Sequence, residues 1–321
     1  HCCFRCGPTR TEQLDFEKIA KYLNQATEIP SIKVVVFTGG ECFLLQEDLT
    51  RAVEYANDLG YITRCVSNAY WAIDNNTSHQ KLKPLLRAGL KEINFSTGDH
   101  HLKYVPLENV IRATKLACQA GLTTVVNIEL YKNAKTKSKL RTIFSNLKKD
   151  YNNLIVNYGL WIPNGGQSKI YHDKQHRLNS KTIDKIGCDS ILSSISITPK
   201  NEVISCCGMY INYIPELVMG YLSEKTLPEI LSDQHEDVLK LWIYLEGPYK
   251  VLQAAALHNN TIRLSKNYVH PCQACLKLYK TKKYRASIYK ACLQNTYRLY
   301  EQKLTLETFS KTIQNTDAKI L

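Results

Sequence analysis

The sequence predicts an α/β protein: a parallel sheet wound with helices, followed by a smaller region built around cysteines. Two observations carry this. Apolar strand-like runs and helical runs alternate at least five times over about 160 residues, the pattern of strands joined by helical crossovers. Beyond residue 168 the alternation stops, and a hairpin bearing two adjacent cysteines begins. The alternation by itself fits either an open α/β sheet or a barrel.

In chain order, His1-Cys2-Cys3-Phe4-Arg5-Cys6 opens on three thiols, and Gly7-Pro8 breaks it. Residues 14–23 have helical periodicity. Ile32–Phe37 is nearly continuously apolar, as expected of a parallel strand buried on both faces. A helix over 47–59 ends at Gly60, a strand covers 61–67, a helix 78–88 ends at Gly89, and a strand covers 92–96. The helix 107–120 ends at Gly121, the strand 123–130 follows, and a basic stretch leads into a helix over 139–148. A strand over 154–160 and the turn Asn164-Gly165-Gly166 close this part. Ligands of such folds sit at the C-terminal ends of the strands. There the sequence places Thr38-Gly39-Gly40-Glu41, then Ser67-Asn68, then Ser96-Thr97-Gly98-Asp99-His100-His101.

The second part turns on the stretch from Cys188 to Gly208. Ile195–Thr198, the turn Pro199-Lys200-Asn201-Glu202 and Val203–Ser205 read as a hairpin that delivers Cys206 and Cys207. Neighbours on a strand point to opposite faces, so one thiol can hold metal with Cys188 while the other faces a cavity. Cys272-Gln-Ala-Cys275 suits the same metal. On these residues alone, a structural zinc knot and a redox or radical centre both stand. Helices over 236–245 and 249–257 flank the break at Gly247-Pro248, and the tail from Lys280 reads as an amphipathic helix.

Composition narrows the class. Twelve cysteines in 321 residues, clustered as Cys-Cys and Cys-x-x-Cys, favour metal over disulfides. No run of about 18 apolar residues exists, so no membrane span is expected, and no signal peptide is visible. The chain begins without methionine, so its true start is expected upstream. The net charge is +13, and the last 52 residues carry ten Lys or Arg against three Asp or Glu. That tail reads as a solvated helical face or as a surface for an acidic partner. No RNA-binding signature accompanies it, so a nucleic acid partner is not expected.

HCCFRCGP, FTGGE, VSNAYW, FSTGDHH, the Cys-Cys hairpin, YLEGPYKVL and CQAC together resemble the radical S-adenosylmethionine (SAM) enzymes that carry a reduced SPASM, or twitch, domain, and among them the peptide epimerases. The resemblance implies a partial (β/α)6 TIM-like barrel over 1–167, a small α+β twitch or SPASM-like iron–sulfur domain over 168–279, and a basic helical tail over 280–321. It implies a [4Fe–4S] cluster on a Cys-x3-Cys-x2-Cys motif, with Cys2 as its third ligand and the first strand and other two cysteines upstream. A second register uses Cys3 and Cys6. Three thiolates leave one iron open for SAM, whose cleavage gives a radical. Gly39, Gly40, Glu41, Ser67, Asn68 and Ser96 are then SAM contacts, with ordinary strand-end capping as the alternative for the last three, and His101 joins the rim. An auxiliary [4Fe–4S] cluster falls to Cys188, Cys206, Cys272 and Cys275, and Cys207 to the hydrogen-atom donor.

The implied activity is conversion of L- to D-residues in a ribosomally synthesised peptide in the cytoplasm, with electrons from a flavodoxin or ferredoxin. A maturase forming thioether or carbon–carbon crosslinks shares the layout. A zinc-bound, non-catalytic interaction protein is the reading from another class. Cys42, Cys65, Cys118 and Cys292 are expected to be packing residues.

Overall fold

The computed structural model describes residues 6–7, 9–130, 134–160, 187–234, 237–265, 268 and 270–317. The chain divides into two compact units, His1–Lys169 and Ile170–Leu321.

The first unit is a singly wound α/β layer. Helix α1 (Phe16–Thr27) starts where the Asp15 carboxylate accepts from the Lys18 N–H at 2.9 Å, and it buries Ile19, Tyr22, Leu23 and Ala26 along one face. Then come β1 (Val34–Phe37), α2 (Glu47–Asp58), β2 (Ile62–Ser67), α3 (Asn75–Arg87), β3 (Glu92–Gly98), α4 (Leu107–Gln119), β4 (Thr123–Leu130), α5 (Ala134–Asp150) and β5 (Leu154–Leu160). Asp74 caps α3 through the Thr77 N–H at 2.7 Å, so this helix starts ahead of the expected Ser78. The five strands are all parallel and lie in sequence order, β1 to β5. A sheet in sequence order with right-handed crossovers carries its helices on one side, the arrangement of a partial barrel.

Burial follows that asymmetry. On the helix side Phe37, Thr63, Cys65, Ile93, Phe95, Val126, Ile128 and Leu154 are buried. On the other side Val34 and Val36 are each 41% exposed, and Ile62 and Ile155 are exposed too. The expectation that the first strand is buried on both faces is therefore corrected. Val35 and Phe37 face the helix layer, whereas Val34 and Val36 lie on the side of the sheet that no helix covers.

The second unit begins, among described residues, at Gly187. Strands β6 (Ser196–Ile197) and β7 (Glu202–Ile204) form the expected hairpin, with Asn201 in the left-handed region at φ 61°. A third strand that the sequence did not suggest, β8 (Val218–Tyr221), pairs antiparallel with β7. Helices α6 (Leu227–Ser232), α7 (Val238–Glu246), α8 (Pro248–Ala256), α9 (Pro271–Lys280) and α10 (Arg285–Asp317) follow. Gly247, at φ 85°, makes the sharp break between α7 and α8. Helix α10 packs on α7 and α8, and its Arg298 forks onto Glu246 of α7.

Candidate functional site

At the rim of the first unit, one carboxylate ties the ends of two strands together. Glu41 follows β1 and caps a 3₁₀ turn over Cys42–Leu45, accepting from the Phe43 N–H at 3.2 Å. Its other oxygen accepts from the Asn68 N–H at 2.8 Å, tying the end of β1 to the end of β2. Burial raises the Glu41 pKa, opposed by the donors from Asn68, Ser67 and Phe43. Just before it, Gly39 has φ 135° with open space where a side chain would go. At Gly40, a side chain would meet Cys6 Cβ at 3.3 Å and Sγ at 3.8 Å. Cys6 thus lies against the Gly-Gly-Glu turn. Cys2 and Cys3 lie outside the described residues.

Ser67 ends β2 on the helix-covered face and is only 2% exposed. Its hydroxyl oxygen accepts from the Ala69 N–H at 3.0 Å and from Trp71 Nε1 at 2.9 Å. This is the strand-end capping alternative, with Trp71 stacked on Phe43 at 4.4 Å beneath the rim. Asn68 folds its own side chain back, accepting from the Tyr70 N–H at 2.8 Å, while Ala69 takes φ 62°. Cys42 and Cys65 are buried neighbours below this turn, and Cys42 Sγ donates to the Val66 carbonyl at 3.2 Å.

Ser96 points to the side of the sheet that no helix covers, and so do residues that sequence reading missed. Pairing sets Ser96 beside Asn127 and Asn127 beside Asn157, a polar row across β3, β4 and β5. Asn157 Nδ2 donates to Asn127 Oδ1 at 3.1 Å. Lower on the same face, the buried Asn94 Oδ1 has no hydrogen-bond partner, and Arg64 Nε pairs with Glu92 at 2.8 Å. The next row toward the rim is Gly98, Glu129 and Gly159. Glu129 is buried; Oε1 accepts from the backbone N–H groups of His100 and His101 and meets His101 Nδ1 at 3.1 Å. Its Oε2 is buried without a hydrogen bond. A side chain at Gly98 would lie 2.1 Å from Glu129 Cγ, so Glu129 fills the space over that glycine; above Gly159 the space is open. The signal that could have found these residues was polar alternation in two strands otherwise apolar, at Asn127, Glu129 and Asn157.

In the second unit the cysteines gather. Cys188 is anchored by its N–H to the carbonyls of Ile243 and Tyr244 at the end of α7, at 3.0 and 3.2 Å. Cys206 follows β7 and is buried, whereas Cys207 is exposed, so the adjacent thiols differ as the alternation argument expects. Cys272 and Cys275 lie three apart on the first turns of α9, on one helical face. His270 caps that helix, its Nδ1 accepting from the Cys272 N–H at 3.2 Å. Burial, with the neighbouring thiols of Cys272, Cys188 and Cys207 adding, pushes the Cys206 pKa up to about 12. Burial and the proximity of Cys188 and Cys207 push Cys272 to about 11. Burial, then Cys272, Cys206 and Cys188, raise Cys275 well above the usual thiol range.

Gly208 explains how the thiols approach. A side chain there would stand 3.3 Å from Cys272 Sγ and 3.6 Å from Cys206 Sγ. The donor set, four thiols, fits a thiolate-ligated metal centre, zinc or an iron–sulfur cluster. Among the described residues, no three His, Cys, Asp or Glu side chains close on a point as one metal ion would require. The four cysteines are neighbours rather than a closed tetrahedron. No described helix is long and apolar enough to cross a membrane.

No family model matches the chain. It is related in sequence to the putative peptide biosynthesis protein YydG of Bacillus subtilis (strain 168), at 24% identity over 110 residues. That match spans 34% of this chain and 34% of the relative. Two crystal structures of BtrN align with it: an open conformation at TM-score 0.42 and 12% identity, covering 78% of this chain and 82% of that one. The complex with AdoMet and 2-DOIA gives TM-score 0.43 at 13% identity, covering 78% and 83%.

Proposed function

We propose that this chain is a radical SAM enzyme that modifies a ribosomally made peptide, and that the modification is epimerisation of an L- to a D-residue. The observation that carries the reading is the contact of Cys6 with Gly40. It sets Cys6 against a Gly-Gly-Glu turn at the C-terminal rim of a parallel sheet, where a cluster and its ligand would meet. Relationship to a peptide biosynthesis protein supports a peptide as substrate. The neutral polar row of the Ser96 hydroxyl and the Asn127 and Asn157 amides also suits a main chain better than a phosphate backbone. The contact favours the register in which Cys3 and Cys6 are the second and third ligands of the first cluster, over the one that ends at Cys2.

When bound, the cluster and SAM supply one-electron chemistry that removes a hydrogen atom from carbon. The chain's residues do the rest. Gly39, without a Cβ, leaves room for a ligand over the turn. Glu41 holds the ends of β1 and β2 together and offers a carboxylate to the ligand's ammonium group, and Asn68 and Ser96 contribute polar edges. Ser67 supports from below and touches no ligand. Cys188, Cys206, Cys272 and Cys275 would hold the auxiliary cluster, which would supply electron transfer and structure. The exposed Cys207 donates its S–H hydrogen atom to the substrate's Cα from the face opposite abstraction. The resulting sulfur radical returns to the thiol by taking one electron and one proton, the electron coming from a flavodoxin- or ferredoxin-type donor.

The test uses full-length protein reconstituted anaerobically with iron and sulfide. Iron with acid-labile sulfide, and reductive cleavage of SAM that Cys6→Ala abolishes, are expected; zinc in place of iron would overturn the reading. With the peptide encoded beside the gene, Cys207→Ala is expected to keep both clusters and SAM cleavage but to lose the D-residue. Normal D-residue formation by that variant would move the assignment to a crosslinking maturase.

A further inference from the structure

Helix α10 is apolar on two opposite sides. A helix turns 100° per residue, so positions 284, 288, 291 and 299 share one side. There Ile288, Ala291 and Leu299 are buried as α10 packs on α7 and α8, with Tyr284 buried in the turn just before it. About half a turn away run Tyr289, Leu293, Tyr297 and Leu304, which are 65%, 59%, 82% and 61% exposed. The expected amphipathic tail is therefore corrected: the helix has two apolar stripes, and a helix apolar on both sides requires two partners. The core of the second unit is one of them.

The spacing of the exposed stripe identifies the other. Leu293, Tyr297 and Leu304 of that stripe, with the half-buried Tyr300 between them, are separated by four, three and four residues, the a/d repeat of a coiled coil. Extending that repeat by one position each way reaches Lys290 and Glu307, both exposed. Two copies laid parallel in register would set Lys290 against Lys290 and Glu307 against Glu307. Two copies laid antiparallel about the midpoint between Arg298 and Leu299 set Leu293 against the partner's Leu304, Tyr297 against the partner's Tyr300, and Lys290 against the partner's Glu307. Each layer then pairs an a position with a d position, and each occurs twice. The flanking positions bring Lys303 near the partner's Thr296 and Glu301 near the partner's Gln294, with no like charges opposed. Glu307 meets its own Lys303 at only 3.8 Å, an exposed pair that costs little to exchange.

We propose that this chain forms a two-fold symmetric dimer through an antiparallel pairing of α10, with Leu293, Tyr297, Tyr300 and Leu304 as the seam and Lys290 to Glu307 as its register lock. A self-complementary patch of this kind closes on itself and does not propagate. Two heptads bury on the order of 1,000 Å², near the lower limit of specific interfaces, so the dimer is expected to dissociate on dilution.

Sedimentation equilibrium on the full-length protein, up to about 100 µM, tests it. The expected result is a reversible monomer–dimer equilibrium that Leu293→Glu abolishes. Lys290→Glu and Glu307→Lys should each weaken the dimer about tenfold or more, because each sets two like-charged pairs in the seam. The double exchange should restore it, since opposite charges then face each other again. These positions lie on the exposed side of α10, so an unchanged melting temperature of the monomer controls for folding. A monomer throughout, a dimer indifferent to Leu293→Glu, or a double exchange that fails to rescue would each overturn the proposal.

Discussion

At the scale of single residues, two glycines with the same backbone angle have different reasons to be glycine. Gly39 and Gly98 both sit at φ 135°, where a side chain strains the backbone by about 1–3 kcal/mol. Around Gly39 there is open space, whereas a Cβ at Gly98 would meet the Glu129 carbonyl oxygen and Cγ at 2.1 Å. Backbone cannot step aside as a flexible side chain can. Gly98→Ala is therefore expected to add an overpacking cost of about 1–3 kcal/mol to the strain. Gly39→Ala should cost only the strain in stability and, under the proposed function, should weaken SAM binding instead. Thermal denaturation and equilibrium SAM titration separate the two, and equal melting losses would show that the Glu129 contact is not what fixes Gly98. Glu129 itself belongs to the site at this scale. It is buried, it orders the His100–His101 turn, and it keeps one oxygen unpartnered at the rim.

At the scale of elements, α10 is held to α7 by a charged fork. Arg298 donates to both oxygens of Glu246, which also accepts from Trp242 Nε1 at 2.7 Å. Burial pushes the Glu246 pKa up, but the hydrogen bonds from Arg298 and Trp242 outweigh it and hold the carboxyl below its ordinary 4.5. A carboxyl depressed in the folded state contributes stability that is present above the unfolded value and lost as pH falls through the folded one. Wild type should thus exceed Arg298→Ala in stability at neutral pH, and the gap should close as pH falls below about 4.5. Denaturant unfolding at several pH values measures it, and a gap independent of pH down to about 3 would mean the fork contributes by packing alone. The Asp74 cap of α3 is the simpler case. It accepts from the N–H and the hydroxyl of Thr77 at 2.7 and 2.9 Å, so Asp74→Ala is expected to loosen the start of α3, read as a lower melting temperature.

At the scale of the molecule, the cysteines of the second unit come from separate stretches: the loop at Cys188 tied to α7, the end of β7 and the start of α9. A metal cluster bridging these would hold the unit together, because binding and folding are coupled there. Cys272→Ala is expected to lower iron per chain and to speed hydrogen exchange in β6–β8 and α9, while the sheet β1–β5 keeps its protection. Iron analysis with exchange mass spectrometry checks both, and wild-type iron in the variant would remove Cys272 from the ligand set.

The sequence by itself determined the strand and helix order of the first unit, because burial of one face at a time leaves its period in the residues. It also determined the hairpin at Cys206-Cys207 and the rim position of Gly39-Gly40-Glu41, since turns and glycines act locally. Tertiary structure alone decided the rest. Which face of β1 is covered depends on all crossovers lying on one side, which no local window contains. That Ser67 is a buried cap, that Glu129 reaches over Gly98, and that Cys6 lies against Gly40 are contacts between strands or segments far apart in sequence. The third strand β8 is short and weakly patterned, and it exists because β7 offers it an edge. The two opposed stripes of α10 cancel in any one-sided reading of periodicity. Only the packing on α7 and α8 shows which stripe is buried and which is exposed.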